Sequence, residues 1–326
     1  MKFSSAQLLR IKAAVSKAFL TITSACLALV TAVSFFRSFP EHAEDLEFIL
    51  TSPLVTQVWE FRYELALLLI AVICFVTLKV INRLQREISR LRKIPGLSQS
   101  AAGLHHQLLA WIYDKKLAAR ISPPNASDVE AAEKYVTESL VTSCTYASEE
   151  LTALTGRRCH TCIKTLDPTD GKVTVKARDA TTGGRRQHAN QLDYLYSDNT
   201  AFRRIVDGGM REFLENDLVA LRKQDDIGYD NVSNDWTDHY DATFVIPIYR
   251  KGQDVPNGRK AIWGFFCADN KGGGFDRHAC GEVMTRYART HQRIIEEIES
   301  YKTLGSADPI EGKKGPRGQS DASGTT

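Results

Sequence analysis

Two apolar segments near the front of the chain constrain everything that follows them. The first covers residues 18–36 and the second residues 65–81. A helix rising ~1.5 Å per residue needs about 20 residues to cross a hydrocarbon core of ~30 Å. The first segment meets that length and carries no charge. The second is a little shorter and holds Lys79 near one end, from where an ammonium can reach the headgroups. Trp59, Phe61 and Tyr63 stand just before it, as interfacial rings do.

The flanks set an orientation. Lys2, Arg10, Lys12 and Lys17 precede the first segment, and Arg83, Arg86, Arg90, Arg92 and Lys93 follow the second. Between them, residues 37–64 carry Glu41, Glu44, Asp45, Glu47, Glu60 and Glu64 against Arg37 and Arg62. The positive-inside rule then predicts a multi-pass protein of the cell (inner or plasma) membrane. Residues 1–17 and everything after residue 81 face the cytoplasm, with an acidic loop outside. A cleaved signal peptide is the rival for the first segment. Its apolar run is long for that role, and Phe35 and Phe36 make a poor cleavage neighbourhood. Neither span contains Asp, Glu or His, the groups an ion or proton pathway uses, so the pair reads as an anchor. A pore lined by Thr21, Thr23, Ser24, Thr31 and Ser34 is the alternative.

The chain has 326 residues and a net charge of +3, with much of the basic excess in the membrane flanks. No basic stripe with interleaved aromatics marks a nucleic-acid partner. Cys144, Cys159, Cys162, Cys267 and Cys280 fall on the cytoplasmic side, where thiols stay reduced, so no structural disulfide is expected. Residues 82–127 read as a stalk and helical linker. Ile81, Leu84, Ile88 and Leu91 are spaced 3, 4 and 3, which fits either a lipid-hugging stalk or a parallel homodimer contact. The stalk should end at Pro95-Gly96, with residues 97–103 as a flexible joint and 104–121 as a helix. His105 and His106 are adjacent and read as surface residues. Residues 122–127 (SPPNAS) break the chain, and residues 302–326 lack the apolar content to order.

Residues 128–301 form the soluble domain. A long helix from Asp128 leads into strands at 159–167 and 172–180, which pair as a hairpin. A variable middle follows, with a helix at 200–208 and a strand or strand plus turn at 212–221. Two strong strands, 241–251 and 261–271, precede a closing helix at 276–301. This order predicts an α+β fold: two N-terminal transmembrane helices, a helical stalk, then an antiparallel sheet flanked by helices. Pro247 belongs at an edge or bulge, and Gly264 marks a bulge or a close backbone approach.

Residues 241–282, YDATFVIPIYRK, a loop, then IWGFFCADNKGGGFD and a helix, resemble the C-terminal half of a GAF domain. The resemblance extends over 128–301 and implies a sensory or ligand-binding module. Asn270, Lys271, Phe275 and Glu282 sit near a signature that in the family braces the fold; Gly281-Glu282 stands where the family has Asp-Glu, off by about one position. A pocket between the sheet and residues 213–243 would be lined by Asn216, Asp217, Tyr229, Trp236, Tyr240 and Thr243, which mix aromatic and polar groups. For each of these, an ordinary core or surface role is the competing reading.

The remaining chemistry is sparse. Cys159, His160 and Cys162 suggest zinc by type, but Cys159 and Cys162 point to opposite faces of a strand, so no metal site is expected. Gly272, Gly273 and Gly274 lack the Lys-Ser/Thr of a phosphate-binding loop. No catalytic motif appears and the residues specify no cofactor, so the reading is a non-enzymatic, membrane-anchored GAF-type sensor. Its partners would be the bilayer, a small-molecule ligand or a partner protein, and a second copy through the stalk. A two-span membrane effector gated by the domain is the alternative. A cysteine-dependent methionine sulfoxide reductase, an activity some GAF-fold proteins have, is a minor one.

Overall fold

The computed structural model describes residues 62–181, 194–224, 228–233, 235–255 and 259–306, with Lys17, Leu20, Thr21, Ser24 and Ala28 as isolated positions. The first apolar segment apart from those positions, most of the acidic loop and the C-terminal tail from residue 307 lie outside the described residues. The chain divides into two compact units, Met1–Gly96 and Leu97–Thr326.

In the first unit the second apolar segment lies within helix α1 (Arg62–Leu91), which continues through Ile81, Leu84, Ile88 and Leu91. Leu68, Phe75 and Leu78 are 62%, 67% and 59% exposed, so its apolar side chains face outward, as a lipid-facing surface requires. Among the described residues one helical run, Leu68–Ala119, is long and apolar enough to cross a membrane. Helix α2 (Lys93–Ala119) corrects two expectations. Pro95 and Gly96 do not end the helical region, and residues 97–103 are helical rather than a joint. Pro95 falls in the first turn of α2, where a backbone N–H has no intrahelical partner to lose.

The second unit is a six-stranded antiparallel sheet in the order β3-β2-β1-β6-β5-β4. Its strands are β1 (Cys159–Leu166), β2 (Lys172–Arg178), β3 (Tyr194–Leu195), β4 (Phe213–Glu215), β5 (Ala242–Val255) and β6 (Arg259–Asn270). The α+β class with an antiparallel sheet is therefore the observed one. Helix α3 (Ala126–Thr155) opens on a capping box between Asn125 and Asp128 and closes on Gly156 at φ 73°. Helix α7 (Ala279–Ser306) starts where the Asp276 carboxylate accepts from the Ala279 N–H at 2.7 Å. Helices α3 and α7 cover one sheet face, and residues 97–119 of α2 bond to α7 through the 2.7 Å Lys116–Glu297 ion pair and to α3 through His105 and Ser143. Helix α4 (Thr200–Val206), α5 (Leu218–Arg222) and α6 (Trp236–His239) lie with the opposite face.

Two bulges re-aim side chains. Ile163 pairs with Ala177 but Lys164 with Val175, so Lys176 is extra, and Ala177 takes the opposite face from Val173 and Val175. Ile248 pairs with Gly264 and Tyr249 with Ile262, which leaves Trp263 extra. The shift turns Trp263 toward α7, where its indole N–H donates to Glu299 at 3.0 Å. Gly264 lies against β1, and a Cβ there would stand 2.0 Å from the Lys164 carbonyl oxygen. Pro247 sits beyond the Thr243–Val245 stretch that β4 covers, so its missing N–H costs no bond to β4.

The helical layer encloses several polar groups, among them His105, one of two histidines expected on the surface; the other, His106, is exposed. His105 is not a surface residue: its Nε2 lies 2.6 Å from the Ser143 hydroxyl, which lies 2.8 Å from His291 Nε2. The rings of Tyr287 and His291 stand edge-on to it. Next to this group the buried Glu150 carboxylate accepts from Tyr287 at 3.1 Å and pairs with Arg286. Burial, with Arg286 adding to it, pulls His105 down to about 4, and burial with His105 beside it holds His291 well below its usual range.

Both histidines are thus neutral when folded, while the unfolded chain binds their protons near pH 6.5. The histidine contribution to stability is complete above that pH and falls as the pH drops toward about 4. Thermal denaturation between pH 7.5 and 4.5 should show a falling midpoint, with a shallower slope in His291→Gln; equal slopes would contradict it. Gly264→Ala should cost about 1–3 kcal/mol or more through the backbone clash, read as a lowered unfolding midpoint.

Candidate functional site

The sheet face opposite α3 and α7 carries the unusual chemistry of the domain. Strand alternation places Cys162 and Lys164 of β1, and Phe265 and Cys267 of β6, on this face. Around them a buried cluster gathers Leu166, Val173, Phe202, Phe213, Tyr229, Trp236 and Val245. β1 and β6 are the two central strands, so these side chains sit mid-sheet, fixed by pairing on both edges.

Lys164 reaches into an aromatic enclosure. Its ammonium donates to the Tyr194 hydroxyl at 2.7 Å and lies 5.3 Å and 5.0 Å from the Tyr194 and Phe202 ring centres. Phe202 stacks on Phe265 at 4.3 Å, which closes the enclosure from the sheet side. Burial opposes the Lys164 charge, and the oxygen of Tyr194 and the sulfurs of Cys162 and Cys267 outweigh it, so its affinity for the proton goes up.

Cys162 has a neighbour on each side strand. It pairs with Cys267 of β6 and with Arg178 of β2. A hydrogen bond from Cys267 pulls the Cys162 thiol down against the opposing effect of burial, and the charges of Lys164 and Arg178 pull it further. Cys267 moves the other way, chiefly because it is buried and holds the shared proton. The pair therefore favours a thiolate on Cys162 beside two cations. Cys159, three positions away, faces the helices instead, with its sulfur 3.3 Å from Thr155 Oγ1 and 3.4 Å from Asn270 Nδ2. Cys159 and Cys162 thus point apart.

Of the six residues read as pocket-lining, four share this face. Tyr229, Trp236 and Tyr240 form an aromatic wall, with ring centres 5.1 Å apart for the first pair and 5.6 Å for the second. Asn231 donates to both the Tyr240 and the Tyr229 hydroxyls. Thr243 lies beyond the wall on β5, opposite Asp269, and donates to the Ala268 carbonyl at 3.2 Å. Asn216 and Asp217 serve the chain itself. Asn216 bonds the backbone of Phe275 in both directions, at 3.0 Å and 2.8 Å, and Asp217 caps α5.

The residues read as braces divide similarly. Asn270 is buried and donates to the Gly273 carbonyl at 3.1 Å, which ties down the loop in which Gly272, Gly273 and Gly274 all have positive φ. Phe275 packs edge-on to Phe244. Glu282 pairs with His278, which stands just before α7, and Lys271 is exposed. A separate cleft of about 320 Å³ lies near α7 on the other side, lined in part by Lys116, Trp263, Glu297 and Glu299, whose polar groups bond one another.

Lys164, Tyr194 and the facing of Cys162 with Cys267 were not singled out from the sequence. Alternation alone gives Cys162 with Lys164 and Phe265 with Cys267, but only the pairing of β1 with β6 brings the two sets together.

No family model and no curated protein matches the chain. Solved structures that it is similar to include GAF domains. One is the phycoerythrobilin-bound GAF domain of a cyanobacterial phytochrome, at 14% identity over 61% of this chain and 97% of that one, with a TM-score of 0.38. A second is a type II free methionine-R-sulfoxide reductase from Thermoplasma acidophilum, at 12% identity over 51% and 96%, with a TM-score of 0.34. A third is the chromophore-binding domain of a bacteriophytochrome from R. palustris, at 17% identity and a TM-score of 0.34. The match to this third structure covers 53% of this chain and 60% of that one.

If Lys164 helps to hold the Cys162 thiolate, Lys164→Met should move the pH midpoint of Cys162 alkylation upward by about one unit or more. Rates of iodoacetamide labelling, followed by peptide mass spectrometry, measure it. An unchanged midpoint would separate the two groups.

Proposed function

We propose that this chain is a membrane-attached regulatory protein whose α+β domain receives a signal on the cytoplasmic side. Reception takes place at the sheet face that carries Cys162, Lys164, Tyr194 and Cys267. The single observation behind this reading is the Lys164 ammonium held in the Tyr194–Phe202 enclosure beside a thiol pair. Lys164 is half-buried, and an ordinary sheet face gains little from a charge partly removed from water. Perturbed titratable groups gathered on one face are the usual mark of a working site.

The surrounding plan supports the same role. A helix, a hairpin, a variable middle, a second hairpin and a closing helix fit a GAF-like sensory module. The exposed apolar surface of α1 fits a membrane attachment, with the basic residues after Ile81 holding the domain on the cytoplasmic side. A small molecule or a partner protein would be read by the wall of Tyr229, Trp236 and Tyr240. A second copy would meet the first along Ile81, Leu84 and Ile88, with Leu91 already buried within the chain.

The test is a thermal-shift screen of the full-length protein in detergent against nucleotides and metabolites. A stabilising compound should lose its effect in Lys164→Met and Trp236→Leu variants that still unfold cooperatively. A compound that stabilises both variants as well as the parent would place reception elsewhere. Failure of the protein to stay with membranes after alkaline carbonate washing would refute the attachment.

A further inference from the structure

The register of β1 and β6 sets Cys162 directly opposite Cys267. Directly opposed residues on antiparallel strands have Cα atoms about 4.5–5.5 Å apart, inside the ~4.4–6.8 Å that a disulfide spans. Both side chains belong to the same buried cluster, and both sulfurs are free thiols. We propose that Cys162 and Cys267 are a peroxide-reactive dithiol, which closes to a reversible intrachain disulfide when a small hydroperoxide reaches this face.

The surroundings assign the two sulfurs different parts. Cys162 stands between Cys267 and Arg178 across the sheet, with Lys164 two positions along the same strand. The thiolate is the reactive form, and these cations favour it at Cys162. Its sulfur attacks one peroxide oxygen, the O–O bond breaks, and the second oxygen leaves as water after taking a proton from solvent. Cys162 is then a sulfenic acid. The Cys267 sulfur attacks the Cys162 sulfur, the S–O bond breaks, and that oxygen leaves as water with the Cys267 proton. In sum two thiols and one hydrogen peroxide give one disulfide and two waters. An external dithiol reverses the change by thiol–disulfide exchange.

Cys159 and Cys144 are not arranged for this. Cys159 faces α3 and bonds Thr155 and Asn270. The Cys144 thiol is pushed well up by burial. The enclosure of the pair selects a small oxidant, because Cys162 is 3% and Cys267 6% exposed. The disulfide itself does not depend on the sensory reading; its use as a signal does.

The experiment uses fully reduced, full-length protein in detergent, treated with hydrogen peroxide, alkylated with iodoacetamide and digested with trypsin without reduction. Cleavage after Arg158, Lys164, Lys260 and Lys271 leaves residues 159–164 and 261–271 as the two peptides to be joined. The expected product links them through Cys162 and Cys267, with Cys159 alkylated, and dithiothreitol releases it. It should persist in Cys159→Ala and vanish in Cys162→Ala and Cys267→Ala. The linkage in the parent protein needs no variant to fold. Both thiols remaining alkylatable, a link through Cys159, or separate oxidation of each sulfur would overturn the proposal. A linked pair with no compound found in the thermal-shift screen would leave the dithiol standing and remove the ligand.

Discussion

The pairing of β1 with β6 is the contact on which the rest of the domain depends. It runs in register from Cys159 opposite Asn270 to Thr165 opposite Gly264, joining segments about a hundred residues apart in the chain. Closing so long a loop costs entropy before any contact offsets it, so the pairing forms only if its residues fit closely. Gly264 supplies that fit, since any side chain there would run into the Lys164 carbonyl. Asn270 secures the far end by bonding both the Gly273 carbonyl and the Cys159 sulfur.

One strand pair thereby serves two faces. Toward α3 and α7 it presents Thr161, Ile163 and Phe266; Thr161 bonds the Cys144 carbonyl at 2.7 Å, and Phe266 lies 5.1 Å edge-on to His291. That side holds its polar groups in two hydrogen-bonded sets, His105–Ser143–His291, in which the buried Nδ1 of His291 has no partner among the described residues, and Arg286–Glu150–Tyr287, and these tie three helices together. Toward the other face the same strands present Cys162 opposite Cys267, and Lys164 with its ammonium on the Tyr194 hydroxyl. The structural and the chemical sides of the domain are two sides of one register.

Much of this plan is legible in the sequence because it is local. Gly156 ends α3 as a left-handed cap, residues 159–166 and 172–178 form the expected strands, and Asn270 begins the turn that the three glycines complete. What escaped is what depends on distant partners. Trp263 and Lys176 are bulged, and a bulge reverses the alternation that assigns side chains to faces. His105 looks like half of a surface pair until α3 and α7 supply Ser143 and His291. Pro95 looks like a stop although it sits in a first turn, where proline is tolerated. Asn216 and Asp217 have the polarity of ligand groups, yet their bonds go to Phe275 and to the start of α5. Lys164 carried no signal as a lone lysine on a strand; its meaning comes from Tyr194 and Phe202.

The central claim is that the β1–β6 register brings Cys162 and Cys267 within reach of each other on one face. Arsenite, a trivalent arsenical small enough for an enclosed site, bridges two thiols only when they are adjacent, and it needs no oxidation. Mass spectrometry of the reduced full-length protein should show an arsenical bound between these two cysteines, lost alike in Cys162→Ala and Cys267→Ala and kept in Cys159→Ala. Binding that ignores either cysteine of the pair, or no bridging at all, would contradict the register and the site built on it.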